Sequence, residues 1–119
     1  MEKISESSLE KKLGEFVKKE LGGLYLKYHS AYHTGMPDRI IVLDYGVVVF
    51  VELKAKRGMP SKLQMAAGKA LLKRKQNYFL ISGEEGLAQF KNELQQFYKK
   101  AEEEYMDGIF AAQLSKALN

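Results

Sequence analysis

Asp38, Glu52 and Lys54 are the residues of this chain whose types and placement could carry a reaction together. Two carboxylates about 4 Å apart repel by roughly 4 kcal/mol at an effective dielectric near 20, and a divalent cation between them turns that repulsion into binding. Oxygen ligands favour Mg²⁺ or Mn²⁺ over zinc. The chain has no Cys, and its two His residues, His29 and His33, do not stand at a paired ligand spacing and read as loop-side surface residues. A cation so held lowers the pKa of a bound water and polarises a phosphodiester oxygen, while a lysine beside it orients the nucleophile or neutralises developing charge. Phosphodiester hydrolysis is the reaction these parts fit.

The elements that would position them form a β-hairpin. Ile40-Ile41-Val42-Leu43 and Val47-Val48-Val49-Phe50-Val51 are apolar, largely β-branched runs parted by Asp44-Tyr45-Gly46, which supplies turn chemistry. Strand alternation puts Val48, Phe50, Glu52 and Lys54 on one face, with Glu52 and Lys54 roughly 6 to 7 Å apart along the strand. The first strand begins just after Asp38 and the second ends near Lys54, so antiparallel pairing returns Asp38 to Glu52. Gly35 and Pro37 restrict the turn that leads into Asp38. Arg39 points to the opposite face, where it could bind phosphate or pair with an acid on a neighbouring helix. Taken singly, Asp38 is also ordinary strand-entry turn chemistry, and Glu52 with Lys54 could be a simple ion pair at a solvated strand end. Yet Glu52 interrupts a strand that is otherwise apolar on both faces, where an unpaired carboxylate is costly.

The stretch GMPDRIIVL followed by VFVELKAKRGMPSKLQ resembles the VRR-NUC family, a branch of the PD-(D/E)xK nuclease superfamily. That family includes stand-alone phage and bacterial proteins and the C-terminal nuclease domain of the Fanconi-associated nuclease. The resemblance covers about residues 10 to 83. It implies a mixed sheet flanked by helices, metal held by Asp38, Glu52 and the backbone carbonyl of Leu53, and the ExK lysine at Lys54. It also implies an acid on the first helix, matched to Glu10 with Glu6 and Glu15 close by, and a site glutamine at Gln64. Small stand-alone members act as dimers on branched DNA, which implies a homodimer here, with four-way (Holliday) junctions or flaps as substrates.

Length and composition suit one small nuclease domain over residues 1 to 119, with a core over about 8 to 83 and C-terminal helices over about 84 to 118. The 119 residues are 45% hydrophobic and contain no apolar run long enough to span a bilayer. The polar start MEKISESSLEKK lacks a signal-peptide core and Cys is absent, so an intracellular, cytoplasmic location is expected, in a bacterial or phage-infected cell. A net charge of +4 is compatible with nucleic acid. Lys56, Arg57 and Lys62 border the proposed site and, with Lys27 and Arg39, are candidates for holding phosphates. Lys73-Arg74-Lys75 also fit a helix C-terminus favoured by its dipole.

Along the chain, Ser7 or Ser8 can cap a first helix running to Leu21, and Leu24 to His29 alternates as a strand. Pro60-Ser61 opens a second helix to about Arg74, its small-residue stripe suited to lying close on a sheet, and Asn77 to Ser82 reads as a strand. Leu87, Phe90, Leu94, Phe97 and Ala101 mark a third helix. Tyr105, Ile109, Phe110, Leu114 and Leu118 mark a fourth, separated by Gly108 and available as a dimer face. The expected class is α/β, in the order α-β-β-β-α-β-α-α. The expected activity is that of a Mg²⁺- or Mn²⁺-dependent DNA endonuclease. The alternatives are a catalytically silent nucleic-acid module with the same fold and a structural adaptor associating through its last helix.

Overall fold

The computed structural model describes residues 4 to 119. Its elements are α1 (Glu6–Lys19), β1 (Leu24–Lys27), β2 (Arg39–Val42), β3 (Val48–Lys54), α2 (Lys62–Lys73), β4 (Asn77–Ser82) and α3 (Gly83–Leu118). The four strands form one mixed sheet in the order β1-β2-β3-β4, with the first three antiparallel and β4 parallel to β3. A parallel return needs a crossover, and α2 supplies it.

Side-chain alternation divides the work of the two sheet faces. Ile41, Val49, Val51, Leu53 and Ile81 point to one face and are buried with Leu9, Leu13, Phe16 and Val17 of α1 and Leu87, Phe90 and Leu94 of α3. Phe79 meets Phe90 edge-on with ring centroids 4.9 Å apart. The other face carries Phe50, Glu52, Tyr78 and Leu80, and α2 lies across part of it. That approach depends on Gly68, where an added Cβ would stand 2.7 Å from the Tyr78 ring. The close approach thus falls at Gly68 and not along the expected stripe of Leu63, Ala66, Ala67, Ala70 and Leu71, of which Leu63, Ala66 and Ala70 are exposed.

The hairpin turn is tighter than Gly46 alone would require. Tyr45 and Gly46 both have positive φ, 60° and 76°, the combination found in two-residue type I′ turns. A left-handed tyrosine is unfavourable by itself, and here its ring packs against Tyr98 and Tyr105 of α3 at 5.6 and 5.4 Å.

Two expectations about helices change. The first helix starts earlier than expected, because Ser5, and not Ser7 or Ser8, accepts the capping hydrogen bond, from Ser8 N. The two C-terminal helical segments run as one 36-residue helix, with no break at Gly108. A glycine costs about 1 kcal/mol in a helix interior, too little to stop one flanked by Glu, Ala and Leu with no proline nearby. Its second half extends past the hairpin turn, and the molecule reaches 61 Å along its longest axis. There Phe110, Leu114 and Leu118 remain exposed.

Candidate active site

The register places the acidic pair where strand alternation requires. Arg39 pairs with Val51 and Lys27 with Arg39, so the next row outward holds Tyr28, Asp38 and Glu52, with Leu80 parallel to Glu52 on β4. Tyr28 N donates to the Asp38 carbonyl at 2.7 Å, extending the ladder into the Asp38 turn. Pro37, fully buried, anchors that turn from within. Gly35, with φ of 91°, lies so close to α2 that an added Cβ would be 2.6 Å from the Leu63 carbonyl oxygen. The loop before Asp38 is therefore fastened to the start of α2 on one side and to β1 on the other.

Glu52 is the one buried charged residue among the described residues, at 4% exposure. Its nearest cation is Lys54 Nζ, 4.0 Å from Oε2, too long for a hydrogen bond. Burial pushes its carboxyl up to about 7; Lys54 opposes this, while Asp38, Glu6 and Glu10 add to it in that order. Tyr78, facing the same region, is also raised, first by burial and then by the Glu52 charge. A largely buried carboxylate crowded by three other acids is the electrostatic setting a hard cation relieves. Among the described residues no three His, Cys, Asp or Glu side chains gather into a metal cage. The carboxylates of Asp38 and Glu52 are the side-chain donors here that could hold such a cation. The remaining positions would fall to water or substrate, as Mg²⁺ tolerates better than metals that demand an all-protein shell.

Glu10 stands elsewhere in this network. Its Oε2 accepts from Arg39 Nη2 at 3.0 Å, and its backbone carbonyl accepts from the Tyr25 hydroxyl at 2.9 Å. The Arg39 guanidinium also lies over the Tyr25 ring, 5.0 Å from its centroid. Burial, the largest influence on Arg39, works against its charge, but the hydrogen bond to Glu10 and the charges of Tyr25, Glu10 and Asp38 together raise its pKa. Burial likewise pushes Tyr25 up to about 12. Of the two roles open to Arg39, the ion pair with a helix acid is the one formed. Its side chain is only 17% exposed, and the buried Nε has no partner. One turn earlier on α1, Glu6 acts on Glu52 more strongly than Glu10 does and is not engaged by Arg39. The sequence matched the first-helix acid to Glu10, with Glu6 and Glu15 close by; the feature that sets Glu6 apart is Arg39, which engages Glu10 and whose reach across to α1 depends on how the helix docks.

Gln64 sits in the first turn of α2, where its Oε1 accepts from Ser61 N at 2.8 Å and its own N donates to Ser61 Oγ at 3.1 Å. This capping box commits its oxygen and leaves its Nε2 as the group free to act outward. Lys54 is half-buried at the end of β3, and Lys56 and Arg57 follow it in an exposed turn closed by Gly58 N donating to the Ala55 carbonyl at 2.7 Å. Lys62 is exposed at the first position of α2, and Lys27 is exposed on β1. His29 and His33 are exposed in the loop after β1.

A mixed sheet with an acidic pair and a lysine at one end, flanked by helices on both faces, is the frame of the PD-(D/E)xK nucleases. Similarity to known proteins narrows this further. The chain is 40% identical over 65 residues to "Putative nuclease p44" of Acyrthosiphon pisum secondary endosymbiont phage 1, spanning 55% of this chain and 69% of that protein. It superposes on the solved structure of a "VRR_NUC domain" with a TM-score of 0.63 and 25% identity, covering 72% of this chain and 94% of that one. No family model matches the chain. The chain belongs to the VRR-NUC family of nucleases.

Proposed function

We propose that this chain, acting as one nuclease domain, is a divalent-metal-dependent DNA endonuclease, with Mg²⁺ or Mn²⁺ held by Asp38, Glu52 and the Leu53 carbonyl. The observation that carries this reading is the buried Glu52, raised to about 7 beside Asp38 and Lys54. When bound, the metal supplies an activated water and a Lewis acid for the phosphate. The chain's own residues do the rest. Lys54 Nζ, on the Glu52 side of the site, offers a proton donor and positive charge where an attacking water and a pentavalent phosphate would stand. Glu6, with Glu10 behind it, provides negative charge from α1 toward the site. Gln64 Nε2 can donate to a phosphate or water at the start of α2. Lys56, Arg57 and Lys62 form a basic edge for the backbone, with Lys27 on the flank; Arg39, engaged by Glu10, serves the site from behind.

The exposed Phe110, Leu114 and Leu118 of α3 support a second copy of this chain as partner, giving two sites for two strands. Branched DNA, including four-way junctions and flaps, is the substrate class such a pair fits. No helix of the described residues is long and apolar enough to cross a membrane. The test is cleavage of end-labelled junction, flap, single-stranded and plain duplex DNA in Mg²⁺, Mn²⁺ or EDTA. Cuts that need metal, fall about a hundredfold to a thousandfold in Lys54→Ala and rank junctions and flaps first are expected, given the size of single-donor losses in such sites. Binding without cutting under every metal condition would instead favour the catalytically silent module.

A further inference from the structure

Beside the acidic pair the molecule has a second concavity, of about 320 Å³, formed between α2 and the loop that follows β1. Tyr28, His33 and Met36 from the loop side and Ala67, Ala70, Leu71 and Arg74 from α2 and its C-terminal cap line it. It adjoins the active site through the backbone, since Tyr28 N binds the Asp38 carbonyl and Met36 lies two residues before Asp38. The loop is fastened to α2 at Gly35, so the two walls are held at a fixed spacing. Arg74 Nη1 donates to the Ala70 carbonyl at 3.0 Å, which ties the guanidinium to the α2 backbone and leaves its other nitrogens to meet an acceptor.

We propose that this cavity receives one unpaired nucleobase next to the phosphate being cut. Resting on the phosphodiesterase reading above, it supplies that site with selectivity for DNA carrying an extrahelical or single-stranded nucleotide. A base has two flat apolar faces and a polar edge, and the cavity offers apolar lining from Ala67, Ala70, Leu71 and Met36, the rings of Tyr28 and His33 for stacking, and the Arg74 guanidinium for the polar edge. Stacking on an aromatic side chain is tolerant of sequence because every base has a π-face. A base inside a duplex is already stacked and paired, so it cannot enter without being extruded, and an unpaired one enters at little cost. The cavity thus reads structure and not sequence, through a contact one nucleotide from the chemistry.

The test uses the full chain in EDTA, where binding is separated from cutting. Fluorescence anisotropy would compare a DNA hairpin bearing one unpaired adenine, the same hairpin with an abasic site there, and a blunt duplex. The unaltered protein is expected to bind the adenine form about tenfold more tightly than the abasic form. Tyr28→Ala, which removes the larger of the two lining rings, and Ala70→Phe, which fills the cavity, should each abolish that preference and leave blunt-duplex affinity unchanged. Circular dichroism melts establish that both variants fold; should Ala70→Phe not fold, Tyr28→Ala and the abasic comparison decide. Equal affinity of the unaltered protein for adenine and abasic DNA would overturn the proposal, as would a preference that survives Tyr28→Ala. Cleavage of the same hairpins in Mn²⁺ separates the two readings: a base preference without cutting sinks only the nuclease, and cutting without a base preference sinks only the cavity.

Discussion

The two ends of the central sheet are built to opposite requirements. At the hairpin-turn end, Leu43 and Val47 are buried, and the strained Tyr45 backbone is compensated by packing against Tyr98 and Tyr105. At the other end Glu52 is equally buried but poorly satisfied, its lysine 4.0 Å away and three further acids raising it. One end spends apolar surface on stability, while the other holds charge where it is uncomfortable. The difference teaches where the fold has reserved its chemistry, because perturbed carboxylates collect at functional sites.

The sharpest way to break this comparison is at the turn end. Leu43→Ala should cost about 2 to 5 kcal/mol, the usual range for a buried leucine, and the loss should be the same at pH 5.5 and pH 8. Urea unfolding at both pH values would measure it. A loss that changes with pH would mean the turn end also carries titrating groups that matter to folding.

A smaller effect, of opposite sign, is expected at the site end. The folded carboxyl of Glu52 titrates near 7 against 4.5 for an unperturbed glutamate. Between those values the folded protein keeps a proton that the unfolded chain releases. The stability from this group is therefore complete below about pH 4.5 and is lost as pH rises through about 7, a change of at most about 3 kcal/mol. Glu52→Gln, which cannot ionise, should leave the metal-free protein up to that much more stable than the unaltered chain at pH 8, with little difference at pH 4.5. The same urea experiment in EDTA would detect it, and identical pH profiles for the two proteins would remove the claim that burial destabilises the charge.

Much of this arrangement was legible from residue order alone, for a physical reason. Period-2 alternation and a short turn leave an antiparallel hairpin almost no freedom, so Asp38, Glu52 and Lys54 could be placed in one region before any coordinate was known. The bounds of β4 and the opening of α2 at Pro60-Ser61 followed from equally local signals. What was not legible depended on docking. Whether Arg39 turns to phosphate or to an acid depends on which helix lies over its face, and the pairing with Glu10 also decides that Glu6 is the freer α1 acid. The left-handed Tyr45 is unreadable in advance, since its compensation comes from residues more than fifty positions away. Gly108 misled as a boundary because the penalty of one glycine is smaller than the propensity of the residues around it. Gln64 was placed at the right end of α2, but the part of its amide committed to Ser61 appears only when the cap is formed.

The most direct measurement is Mn²⁺ binding by titration calorimetry at pH 6.5 in two buffers of different ionisation enthalpy, on the unaltered protein and Glu52→Gln. A cation held by a carboxylate that is largely protonated beforehand must displace that proton. Binding with release of between half and one proton, lost in Glu52→Gln, is the expected result. Mn²⁺ binding of equal strength in Glu52→Gln, or binding with no proton released, would contradict a metal centre built on Glu52.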